Sequence, residues 1–277
     1  MKILVIGSNG LIGKTFCETY RKKLNIATCA RKEYLNKKLK TFKPELILNL
    51  AADVRNINKM FTSNFSLVKK LVNYTIKHNN YLIQIASSAE YGKRNFPTDE
   101  NTSLMPASVY EVTKSLASIL VTGFSRTFNS KAIVVRPYCV YGVYSKKNRL
   151  IPIVINSLKK NKKINIYKGN QDYIYVKDFV RALKIIIDKR KKWILGEVIN
   201  VGSGKQYSNI QVVQTIEKVF KKKINYNYIK KYQKYMDSDM WLSNPAYIKK
   251  KYGFKSKYSL RDGLEDMKKI LIKKISL

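Results

Sequence analysis

The sequence predicts an α/β protein: a doubly wound parallel sheet with a smaller module interleaved toward the C-terminus. Three observations carry that expectation. Short apolar, β-branched runs alternate with amphipathic helical stretches through the first two thirds of the 277 residues. A glycine-rich turn lies directly between the first apolar run and the first helical stretch. After Gly142 the rhythm changes to shorter strands and separate helices.

The elements follow in order. Lys2–Ile6, Asn25–Cys29, Leu46–Leu50, Tyr81–Ile85 and Ala132–Val135 are near-continuous apolar runs. Such runs mark strands covered on both faces, as in a parallel sheet wrapped by helices. Leu11–Leu24, Asn56–Asn79 and Ser108–Phe128 carry helical periodicity. In the second part, Ile151–Lys160, Asp178–Ile187 and Asn209–Phe220 read as helices and Val198–Val201 as a strand. Ser243-Asn244-Pro245 reads as the cap and first-turn proline of a helix ending at Gly253, and a last helix begins near Ser259. No internal repeat, low-complexity tract or long linker divides the chain. The expected division is residues 1–142 plus about 171–200 for the large module, and about 143–170 plus 201–277 for the small one.

Composition excludes several classes. The hydrophobic fraction of 45% is that of a globular protein. No apolar stretch approaches the roughly 20 residues that span a bilayer. The N-terminus reads as a first strand rather than a signal peptide, so a cytoplasmic protein is expected, away from the membrane. Cys17, Cys29 and Cys139 are too few and scattered for a disulfide framework or zinc cluster, and with His78 as the one histidine no metal site is expected. The net charge of +37 is carried by lysines spread from end to end, such as Lys22-Lys23, Lys159-Lys160 and Lys249-Lys250-Lys251. With no RNA-recognition, zinc-finger or basic-zipper pattern beside them, they read as compositional bias rather than a nucleic-acid surface. They still favour anionic ligands, phosphates in particular.

Gly7-Ser8-Asn9-Gly10-Leu11-Ile12-Gly13 is the most specific motif. Glycines permit a tight turn and close backbone approach to a pyrophosphate, and the next helix offers it free N–H groups and its positive dipole end. In strand–turn–helix context this predicts a Rossmann-type, dinucleotide-binding domain. The second strand ends in Cys29-Ala30-Arg31-Lys32, where NAD-specific proteins place an acid. Arg31 suits a 2′-phosphate, so NADP(H) is favoured, while Glu33 leaves NAD(H) possible.

Tyr110 and Lys114 stand four apart on one helix face. A nearby ammonium favours phenolate and brings a phenol toward the working range of an acid–base catalyst. The strand before ends in Ala86-Ser87-Ser88-Ala89-Glu90-Tyr91-Gly92 and the strand after in Arg136-Pro137-Tyr138-Cys139-Val140-Tyr141-Gly142. With Asn49-Leu50-Ala51-Ala52, Asp178 and Asn200-Val201-Gly202 in the same order, the chain resembles the extended short-chain dehydrogenase/reductase family of nucleotide-sugar epimerases, dehydratases and reductases. The resemblance covers nearly the whole chain.

It implies roles. Tyr110 exchanges a proton with the sugar oxygen, Lys114 tunes it and binds the cofactor ribose, and Ser87 or Ser88 binds the same oxygen; counting back from Tyr91 favours Ser87. Gly7, Asn9, Gly10, Leu11, Ile12, Gly13, Arg31, Leu50, Ala51, Ala52, Pro137, Tyr138 and Val140 would line the cofactor. Ser87, Ser88, Ala89, Cys139, Arg149 and Asp172 would face a nucleotide-diphosphate sugar. Dehydratases of the family use an acid–base pair after the Ser/Thr, of which only Glu90 remains here. The short Ser-Ser loop and Arg31 resemble 4-keto-6-deoxysugar reductases instead. NADPH-dependent 4-keto reduction is therefore expected, with 4-epimerase and then 4,6-dehydratase as alternatives, and a cofactor-binding regulatory protein as the non-enzyme reading. Apolar residues beyond one face of the helices at 56–79 and 108–128, with the family's habit, imply a homodimer.

Overall fold

The computed structural model describes residues 1–30, 34–54, 56–232 and 238–273. Six strands form one parallel sheet: β1 (Lys2–Ile6), β2 (Asn25–Cys29), β3 (Leu46–Asn49), β4 (Tyr81–Ile85), β5 (Ala132–Pro137) and β9 (Val198–Val201). Their order across the sheet is β2-β1-β3-β4-β5-β9. Alternation explains why these runs are strands. Ile3 and Val5 enter one buried cluster with Leu48, Ile83 and Val135. Leu4 and Ile6 enter a second, on the opposite face, with Ile47, Leu82 and Val134. Each run is apolar at every position because it feeds two cores at once.

The helices cover both faces: α1 (Leu11–Tyr20), α2 (Leu35–Phe42), α3 (Ile57–Met60), α4 (Leu67–His78), α5 (Val109–Thr127) and α7 (Val176–Asp188). The order in which strands are added to the sheet reverses between β1 and β3, since β2 lies on one side of β1 and β3 on the other. That switch point opens the crevice where ligands of such sheets bind, at the carboxyl ends of the strands. The doubly wound α/β expectation is met.

The remaining elements build the smaller part. β6 (Cys139–Tyr141), β8 (Asn170–Tyr175) and β10 (Gln206–Ser208) form a mixed sheet, and β7 (Ile164–Lys168) pairs parallel with β11 (Tyr226–Tyr232). α6 (Leu150–Lys160), α8 (Asn209–Phe220), α9 (Ala246–Tyr252) and α10 (Leu260–Lys273) complete it. One core continues from Ile3 and Val5 to Val212, Ile216, Leu264 and Met267, so the two parts are packed together. Among the described residues no helix is long and apolar enough to cross a membrane.

The strands β6, β10 and β11 of the smaller part were not anticipated, and three elements of the larger part differ from the sequence reading. α2 was not anticipated: its sequence LNKKLKTF buries only Leu35 and Leu39, too few for a periodic signal. α1 stops at Tyr20 rather than Leu24. The single helix expected over 56–79 is broken at Phe61–Ser66 by a π turn between α3 and α4. The wider turn carries Asn64 into the interior, where its amide accepts from Asp53 N–H at 3.0 Å and donates to Asp53 C=O and the Thr113 hydroxyl.

Candidate active site

The glycine turn is built for close approach. Gly7 has φ +79°, and a Cβ there would lie 2.8 Å from Ala51 N and Leu50 C, across the switch point. A Cβ on Gly13 would meet Gly7 O at 2.6 Å, so the first turn of α1 sits tight on the loop. Gly10 caps α1 without a side-chain hydrogen bond, and no acid lies in the first turn. Its N–H groups are thus aimed, with the positive dipole end, past Asn9, Leu11 and Ile12 toward an anion. Arg31, which favours a 2′-phosphate in the sequence reading, lies outside the described residues.

The candidate catalytic loop is a one-turn 3₁₀ helix, Ser88–Tyr91, at the end of β4. Ser87 caps it: its hydroxyl accepts from Ala89 N–H at 3.2 Å, and Glu90 Oε1 accepts from Ser87 N–H at 2.9 Å. Glu90 is fully buried. Its other oxygen accepts from the Ser118 hydroxyl at 2.7 Å and pairs with Arg136 Nε at 3.0 Å. Arg136 in turn donates to the Tyr91 hydroxyl, which donates to Asn200. These links clamp β4, α5, β5 and β9 together beneath the loop.

Ser108 starts α5 with a capping box, accepting from Glu111 N–H while the Glu111 carboxylate accepts from Ser108 N–H. In the first turn of α5, Tyr110 packs against Ala89 of the loop. Burial pushes its phenol above the ordinary value of 10.0, so it is protonated at neutral pH. Lys114, 1% exposed, donates to the Ile85 carbonyl at the end of β4. Burial lowers its ammonium from 10.5 to about 8.

The two candidate serines differ in their partners. The Ser87 hydroxyl is part-buried and accepts from Ala89 N–H, whereas the Ser88 hydroxyl is buried and accepts from the Trp241 indole N–H at 3.2 Å. Trp241 packs with Ala89, Tyr138 and Tyr110 into an apolar wall. Tyr138, after Pro137 on β5, also shares a buried hydrogen bond with Thr98. Cys139 and Val140 form β6 beside β8. Arg149, exposed at the cap of α6, lies near enough for its positive charge to favour the ionised forms of both Tyr110 and Cys139, against the burial that raises them. Asp172 is fully buried, and its carboxylate accepts from Ser203 N–H, Gly204 N–H and Ser243 N–H. It organises the loop after β9.

Sequence reasoning gave no role to Asn64, Arg136 or Trp241. Asn64 carried one signal, a polar residue inside an apolar helical stretch. Trp241 carried none, because 153 residues separate it from Ser88.

A model of the NAD dependent epimerase/dehydratase family matches residues 3–202. An uncharacterized UDP-glucose epimerase of Bacillus subtilis is 24% identical over 261 residues, covering 79% of this chain and 82% of that protein. The dTDP-glucose 4,6-dehydratase of Salmonella typhimurium is 33% identical over 155 residues, which are 50% of this chain and 42% of its own length. Among solved structures, dTDP-glucose 4,6-dehydratase from Bacillus anthracis in complex with NAD superposes with a TM-score of 0.88 at 22% identity, over 100% of this chain and 98% of that one. UDP-glucuronic acid 4-epimerase from Bacillus cereus, with UDP-glucuronic acid and NAD, gives 0.88 at 21% identity, over 99% and 100%.

Proposed function

The chain belongs to the NAD dependent epimerase/dehydratase family, and from that premise we propose that it reduces the 4-keto group of a nucleotide-activated 6-deoxysugar with NADPH, in the cytoplasm, in deoxysugar or surface-polysaccharide biosynthesis. The residues present fit a nicotinamide dinucleotide: the Gly7 approach to Leu50 and Ala51 leaves no room for a side chain, and the start of α1 has no side-chain cap and no acid in its first turn, so its positive dipole end is open to an anion. Gly7 to Gly13 would hold the pyrophosphate, Leu50, Ala51 and Ala52 one flank, Lys114 the ribose, and Pro137, Tyr138 and Val140 the nicotinamide end. When bound, that group supplies a hydride.

The observation that carries the reading is a part-buried Tyr110 packed over the loop of Ser87 and Ala89, its phenol raised by burial, while Glu90 is locked away. Tyr110 gives its proton to the developing C4 alkoxide, and Ser87 donates a hydrogen bond to the same oxygen. Dehydration needs a further acid–base pair on this loop. Ala89 has no proton to give, and both Glu90 oxygens are engaged by Ser87, Ser118 and Arg136. Arg149 faces the sugar diphosphate, and Cys139 the sugar. The 2′-phosphate preference rests on Arg31. A second reading, C4 epimerisation with retained NAD, is supported by the Bacillus subtilis relative matched over 79% of this chain. We also assign a homodimer, formed through the exposed apolar residues of α3 and α5.

Mixing the protein with NADPH and a panel of nucleotide 4-keto-6-deoxysugars tests the assignment. Stoichiometric loss of NADPH absorbance supports reduction. No loss, with isomerised product from unmodified nucleotide sugars, puts epimerisation in its place.

A further inference from the structure

A second groove lies at the amino ends of the sheet strands, opposite the end that carries the glycine turn. There the segments that lead into β3 and β4, Pro44-Glu45 and Asn79-Asn80, meet a groove between α2 and α4. The cavity measures about 940 Å³, at the upper end of the range that holds small-molecule ligands. β3 and β4, four and five residues long, separate it from the catalytic loop by roughly 15 Å.

Helical spacing makes the groove. On α2 and its cap, Asn36, Leu39, Lys40 and Lys43 share one face, and on α4, Lys70, Tyr74 and Lys77 share another. The faces meet where the Tyr74 hydroxyl donates to the Leu39 carbonyl at 3.2 Å. Four lysines and His78 thus line one cavity, against the single carboxylate of Glu45. Glu45 is already engaged, accepting from Lys2 N–H at 2.7 Å. Lysines in the last turn of a helix offset its carbonyl dipole, which accounts for Lys40 and Lys77. It does not account for Lys70, in the first turn of α4.

Nor does it account for Asn80. This side chain lines the cavity, is 5% exposed, and neither its amide nitrogen nor its amide oxygen has a hydrogen-bond partner. Buried amides in native proteins are almost always paired, so a fully orphaned one beside a cationic groove marks a place where a ligand completes the bonding. Tyr74 and His78, with ring centroids 4.2 Å apart, add a flat aromatic surface to the same wall.

We propose that this cavity binds a phosphate-bearing ligand of nucleotide size, with the lysines on its phosphates and Asn80 on its polar edge. It is separate from the cofactor crevice and from the nucleotide-sugar site. Titration calorimetry with ADP and with pyrophosphate, each with NADPH or NADH saturating the crevice, tests it. One equivalent of ADP is expected to bind. Lys70→Glu/Lys77→Glu and Asn80→Leu should each weaken it at least tenfold, with melting temperatures confirming that both variants fold. Lys159→Glu/Lys160→Glu, an equal charge change on exposed residues of α6, should leave it within twofold. ADP binding tighter than pyrophosphate identifies a nucleotide; equal binding identifies the phosphates as the part recognised. No binding beside the cofactor, or an equal loss in the α6 variant, overturns the proposal.

Discussion

Tyr110 holds its proton at neutral pH because burial raises its phenol above the ordinary value. Tyr110→Phe keeps the ring and its packing and removes the donor. kcat is expected to fall by about 10²–10⁴ with little change in KM for the nucleotide sugar, and a fall below tenfold would exclude Tyr110 as the donor. Lys114 supplies a second test through pH. Its folded-state pKa, about 8, lies below the ordinary 10.5, so between those values the unfolded chain binds the extra proton and stability rises with pH. Relative to Lys114→Met, the native chain should gain roughly 2 kcal/mol between pH 8 and 9.5 in urea unfolding. A difference that does not change with pH would show that burial leaves the ammonium unperturbed. Tyr110, Lys114 and the glycine turn were legible because their spacing is short-range and fixed by one helix or one turn. Reading the Ser87 and Ser88 partners required Trp241, which only the tertiary fold delivers.

Strand positions were legible almost to the residue, because parallel strands buried on both faces are apolar throughout and end abruptly. Helices were less so where few residues touch a core. α2 reads as a lysine-rich loop, and the π turn at Phe61–Ser66 has an ordinary amphipathic sequence on both sides. What the π turn does is local: it places Asn64 so that one amide bridges Asp53, just past Leu50-Ala51-Ala52, to Thr113 beside Lys114. Asn64→Ala removes that bridge and leaves part-buried backbone groups of Asp53 without the amide, at a cost of about 1–3 kcal/mol. The melting temperature should drop by several degrees and cofactor affinity should weaken, because the loop flanking Gly7 loses its tether. Unchanged cofactor affinity beside a lowered melting temperature would confine Asn64 to stability.

At the scale of the molecule, charge and apolar surface point in different directions. The net charge of +37 opposes self-association, and salt screens that repulsion at distances beyond about 10 Å. Yet α5 exposes Val109, Val112, Leu116 and Ile119 along one face, and Ile57 and Phe61 extend the stripe from the neighbouring helix. Ile119 and Ile57 are each 57% exposed, so the stripe leaves contiguous apolar surface in water, the kind of surface that marks an interaction site. Two copies meeting through these helices would bury the stripe as an isologous bundle, with the lysines left at its rim. The native protein is expected to scatter light as a dimer, and Leu116→Glu/Ile119→Glu as a monomer with its melting temperature preserved, since both side chains lie outside the core. Raising the salt should tighten the dimer, because screening weakens lysine repulsion without touching apolar burial. A native protein that is monomeric at micromolar concentration in both low and high salt would show that the stripe is not an interface between copies of this chain.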